Sequence, residues 1–145
     1  MMDCASGISA ERAERYRASP ERRLLGDINR EYEHLCAAWN APDVGEEFRA
    51  PVTVDVPTLI VHGTWDTKTP IENAREVASG LPDCQLVVVE GGGHGALANL
   101  CEHEPGEREL LHAFLAGRTV EFPSTVTLGP VEFAPFEFDP GEPGR

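Results

Sequence analysis

Val56-Pro-Thr-Leu-Ile-Val-His-Gly-Thr-Trp-Asp-Thr-Lys-Thr-Pro70 is the stretch that decides the fold. Thr58 to His62 is a continuous, β-branched apolar run. That pattern suits a strand buried on both faces of a parallel sheet. Gly63 ends the run, and the loop after it carries one acid, Asp66. Thr69 then reads as an N-cap, Pro70 as the first helical residue and Glu72 as the closing member of a capping box. Ile71, Ala74, Val77, Ala78 and Leu81 keep to one helical face, and Gly80 stops the helix.

Working outward, Gln85-Leu-Val-Val-Val-Glu-Gly-Gly-Gly-His-Gly95 is a second unit of the same kind. Gln85 to Val89 reads as another buried strand, and the glycines that follow lead to His94. Strand, helix and strand at this spacing predict a right-handed βαβ unit with parallel strands. Open parallel sheets carry their sites at the carboxyl ends of the strands. Asp66 and His94 each follow such an end. Taken singly, each has a plainer reading, a turn aspartate and a loop histidine. Taken as a pair in this order, they match the acid and base of a Ser…Asp…His arrangement. A buried carboxylate fixes one imidazole nitrogen, and the other is left to take a proton from a nucleophile.

The nucleophile is not found here. No Gly-x-Ser-x-Gly occurs in the 145 residues. Ser6 and Ser9, in Ala5-Ser-Gly-Ile-Ser-Ala10, lack the glycine framing and follow no strand. Cys101 and His103, with His94 or His112, fit no standard zinc spacing. The triple glycine lacks the Lys-Ser/Thr of a phosphate loop. The reading therefore calls for no cofactor and no metal.

Ser9 to Ser19 reads as a charged, weak helix, and Pro20 to Trp39 as an amphipathic one. In the latter, Leu24, Leu25, Ile28, Tyr32, Leu35, Cys36 and Trp39 share a face, with Gly26 as a weak point in the middle. This helix covers a core or forms a lid over a site. Patterning reports burial and not what is buried. Asn40 to Val56 reads as a proline-rich connection, with Val52 and Val54 extended toward the sheet. Ala96 to Leu100 reads as helical. Glu107 to Leu115 reads as a closing helix with Leu110, Leu111, Phe114 and Leu115 inward, terminated by Gly117. Beyond Thr119, Val131-Glu-Phe133 and Phe136-Glu-Phe138 alternate like edge strands. Asp139 to Arg145 reads as disordered.

At 145 residues, 41% of them hydrophobic, the chain amounts to one domain at most. Its formal charge of −13 excludes nucleic acid and anionic membrane as natural partners. No run approaches the roughly 20 apolar residues of a spanning helix. The N-terminus shows neither the basic nor the apolar region of a signal peptide, which leaves the compartment open. Cys4, Cys36, Cys84 and Cys101 allow three full pairings, or stand as thiols.

On Cys36-Ala-Ala-Trp39, Asp55 to Pro70 and Glu90-Gly-Gly-Gly-His-Gly95, residues from about 32 to 117 resemble the C-terminal part of an α/β-hydrolase. They are most similar to the bacterial tripeptidyl or prolyl aminopeptidase-like branch, with its TAP-like C-terminal segment. The resemblance implies an α/β fold in which residues 1–40 end a helical cap. Residues 41–118 form the hydrolase segment with its acid and histidine loops, and 119–145 an extended tail. It implies that Asp66 is the triad acid and His94 the triad base. The substrate would be a peptide or a small ester or amide, met through a parent enzyme that supplies the serine and the oxyanion loop. A sheet of two or three strands leaves apolar surface uncovered, so association through the sheet faces is expected. The contrasting reading is a non-catalytic binding or fold-completing subunit. A truncated reading frame is a third.

Overall fold

The computed structural model describes residues 2–27, 30–103 and 105–132. The chain divides into two compact units, Met1–Val52 and Thr53–Arg145.

The first unit is helical. Helices α1 (Met2–Ser6), α2 (Ala10–Ala18), α3 (Arg22–Leu25), α4 (Arg30–Trp39) and α5 (Glu46–Arg49) follow in order. Ser9 caps α2 by accepting from the Arg12 N–H at 3.3 Å. The single helix expected from Pro20 to Trp39 is instead two pieces. Gly26 ends α3 at φ +69°, a left-handed conformation that a continuous α-helix does not contain. The apolar residues meant to cover a core are open: Leu24 is 88% exposed and Leu25 69%, and Tyr32, Leu35 and Trp39 are also exposed. A four-residue helix before a glycine break has too little length to seat a stripe. The connection expected from Asn40 to Val56 contains α5, and Val52 and Val54 join no strand. Of the three pairings that sequence allows, Cys4 pairs with Cys36 across 5.1 Å between Cα atoms, tying α1 to α4. Cys84 and Cys101 are free thiols.

The second unit is α/β. Its elements are β1 (Thr58–Gly63), α6 (Ile71–Ser79), β2 (Cys84–Glu90), α7 (Ala96–His103), α8 (Pro105–Leu115) and β3 (Thr125–Thr127). The sheet order is β1-β2-β3, with both pairings parallel. Thr58 pairs with Cys84 and Gly63 with Val89, so the first two strands run level and end at one edge. Val87 and Val89, two residues apart on β2, share a face and are completely buried. They pack with Ala96 and Leu100 of α7 and with Phe122 and Val126. Phe114 of α8 meets Phe122 edge to face, with centroids 6.1 Å apart and planes at 74°.

Three expectations change here. The strand Thr58–His62 is only half-buried along its length, because β1 is an edge strand among the described residues. Leu115 is 72% exposed, and Ala113 takes the inward place on α8. The stretch from Thr119 is not a plain tail. Phe122 and Val126 enter the core, and β3 pairs Val88, Val89 and Glu90 with Thr125, Val126 and Thr127. Phe133, Phe136, Phe138 and the 139–145 end lie outside the described residues.

Candidate active site

The level ends of β1 and β2 launch two loops side by side. The acid loop runs from Gly63 to Pro70, and the histidine loop from Gly91 to Gly95. Their approach is close. The Thr64 N–H donates to the Val89 carbonyl at 3.0 Å, and the Trp65 N–H donates to the Gly92 carbonyl at 2.9 Å. The Gly91 N–H donates to Thr64 Oγ1 at 3.0 Å. Gly91 sits at φ +80°, which favours glycine and turns the chain out of β2.

Asp66 is the one buried charged or polar residue recorded among the described residues. Four donors meet its carboxylate. Oδ1 accepts from the Lys68 N–H at 2.9 Å and the Thr69 N–H at 3.0 Å. Oδ2 accepts from the Thr69 hydroxyl at 2.6 Å and stands 2.8 Å from His94 Nδ1. The Thr69 hydroxyl is the largest influence holding the carboxyl well below the usual carboxylate range. Desolvation opposes it, and the Thr69 N–H, His94 and the Lys68 N–H add to the lowering. The group is thus an anion at neutral pH. An anionic carboxylate only accepts, so His94 carries its proton on Nδ1. That leaves Nε2 as the free basic nitrogen, on a side chain that is 58% exposed.

Thr69 does not play its expected part. Helix α6 begins one residue later than the capping pattern predicts, with Pro70 in the cap position and no side-chain cap bond. The hydroxyl goes to Asp66 instead. A charge-assisted bond is stronger than a bond to a neutral helix N–H, and the acid is the better acceptor. Asp-x-x-Thr was the signal for this, read from the acid forward rather than from the helix back.

His62 was not anticipated either. Its Nδ1 lies 3.0 Å from the Gly63 carbonyl, and its Nε2 lies 3.7 Å from Asp66 Oδ2. That Nε2 is buried without a hydrogen-bond partner. The residue lies on the apolar run of β1, where histidine reads as a strand residue and nothing marks it as facing the acid.

Ser6 and Ser9 belong to the helical first unit. The Ser6 carbonyl accepts from Arg49 Nε at 2.6 Å, and Ser9 is the α2 cap. Cys101 and His103 lie on α7 and His112 on α8. Among the described residues, no group of three or more His, Cys, Asp or Glu side chains is arranged to hold a metal ion.

Residues 25–121 match the family model described as TAP-like protein. The chain is 40% identical over 58 residues to non-heme chloroperoxidase CPO-A1 of Kitasatospora aureofaciens, covering 39% of this chain and 21% of that protein. It is 31% identical over 83 residues to AB hydrolase superfamily protein YisY of Bacillus subtilis (strain 168), covering 57% of this chain and 27% of that protein. The chain thus spans about a quarter of the length of these relatives. No solved structure matches it.

Proposed function

The chain belongs to the TAP-like family of α/β-hydrolases, and on that premise we propose that it carries the acid and base of a serine hydrolase acting on peptide, amide or ester bonds. The carrying observation is the 2.8 Å contact between His94 Nδ1 and Asp66 Oδ2, with the carboxylate otherwise saturated by its own loop. Such a pair holds the imidazole in one tautomer and stabilises the imidazolium that forms when Nε2 takes a proton.

In this reaction a serine Oγ attacks the substrate carbonyl as its proton passes to His94 Nε2. The Nε2 proton then goes to the leaving amine or alkoxide, and an acyl-serine remains. Water, deprotonated by the same nitrogen, releases the acid. The serine and its oxyanion donors come from sequence beyond these residues, since no Gly-x-Ser-x-Gly is present. Support for completion by further sheet comes from β1, whose outer side carries no strand among the described residues.

The test is steady-state hydrolysis of chromogenic peptide amides and esters by the native protein from its source cells. His94→Ala and Asp66→Asn should each lower kcat, the latter by about 10⁴-fold through loss of the correct tautomer. Unchanged kcat in both variants would defeat the proposal.

A further inference from the structure

The contact between Asp66 and His94 depends on how closely two loops approach, and neither residue sets that approach. Gly63 does so by lacking a side chain. A Cβ built at Gly63 would stand 2.1 Å from the Gly92 carbonyl oxygen and 2.5 Å from that of Gly93. Those are backbone atoms of the loop that presents His94, and they have no flexible end to swing away. The position is buried, so a methyl has no outward route. Its φ is not in the left-handed region, so the demand for glycine here is one of space alone.

Thr64 follows, and it ties the two sides together by two hydrogen bonds, with Trp65 adding a third. Its N–H reaches the Val89 carbonyl, its Oγ1 receives the Gly91 N–H, and the next N–H, from Trp65, reaches the Gly92 carbonyl. The bonded histidine-side residues run from Val89 to Gly92, which stands two residues before His94. We infer that Gly63 and Thr64 are positioning residues, a clasp that fixes the distance between the carboxylate of Asp66 and the imidazole of His94. The inference rests on the acid–base reading above and concerns the distance within the pair. Neither residue touches a reacting atom. Gly63 sets how near the loops come, and Thr64 keeps them there.

The test uses the full 145-residue chain with 15N-labelled histidine. The Nδ1–H of His94, donated to a carboxylate, resonates far downfield and is assigned by its loss in His94→Gln. In Gly63→Ala this resonance should disappear, or exchange with solvent about tenfold faster or more, as a weakened internal bond opens more often. Thr64→Val should move it in the same direction by less, and Thr64→Ser should restore it, with circular dichroism unchanged in all three. If Gly63→Ala fails to fold, the Val and Ser variants of Thr64 decide the matter. An unaltered resonance and exchange rate in Gly63→Ala and Thr64→Val would overturn the clasp and leave the acid–base reading standing. A missing resonance in the unsubstituted chain would overturn both.

Discussion

Asp66 shows why one carboxylate can be buried and still ionised. It trades water for four donors, and the closest of them is the Thr69 hydroxyl. Its folded-state carboxyl titrates below its unfolded one. The linked stability is therefore complete above the ordinary carboxylate range near pH ~4 and is lost as pH falls below it. Thr69→Val keeps the shape and removes the donor. The carboxyl should then titrate higher, closer to an ordinary aspartate, and the acid-side loss of stability should shrink. Titrating the Asp66 side-chain carbon by NMR, beside urea midpoints from about pH 7 down to about pH 3, checks both. No upward shift in Thr69→Val would mean that the two backbone N–H groups and His94 hold the charge without the hydroxyl.

At the scale of elements, the legible part of the sequence was the part with strong punctuation. Thr58–His62 and Gln85–Val89 are short apolar runs with glycine or proline within three residues of each end, and both are parallel strands that the structure extends by a residue or two. The two loops were legible as well, since an acid and a histidine each follow a strand end. Thr69 and His62 were not, because their roles are set by where side chains point rather than by spacing. Strand β3 was hidden for another reason. Three residues between Pro123 and Pro130 carry no usable period, and only the pairing with Val88–Glu90 makes them a strand. The helix expected over Pro20–Trp39 failed at Gly26, where one backbone conformation outweighed a continuous apolar pattern. Within the core, Leu100 is fully buried and packs with Val87 and Val89 of β2 and with the late residues Phe122 and Val126. Leu100→Ala should cost about 3 kcal/mol, as both transfer and cavity terms apply. Chemical denaturation measures it, and a loss under about 1 kcal/mol would show that α7 repacks freely.

At the scale of the molecule, the two units rest on different supports. The α/β unit has a buried cluster. The helical unit, among its described residues, buries no large apolar side chain and is cross-linked through Cys4 and Cys36. Closing a loop with a sequence separation of 32 restricts the unfolded chain by about 4 kcal/mol in the chain-entropy account. Reduction should therefore melt Met1–Val52 selectively, seen as lost helical dichroism under dithiothreitol while the Asp66–His94 resonance persists. Thiol titration of the unreduced, denatured chain should find Cys84 and Cys101 alone reactive. Four reactive thiols would refute the cross-link.

In the proposed reaction, Asp66 and His94 activate a serine that these 145 residues do not supply. Fluorophosphonate labelling tests it most directly, with the adduct mapped by mass spectrometry in the native protein and in the 145-residue chain expressed alone. The native protein should carry the adduct on a serine outside this sequence and lose it in His94→Ala, and the isolated chain should carry none. A stoichiometric adduct on any serine within the chain, or labelling of the native protein that survives His94→Ala, would contradict it.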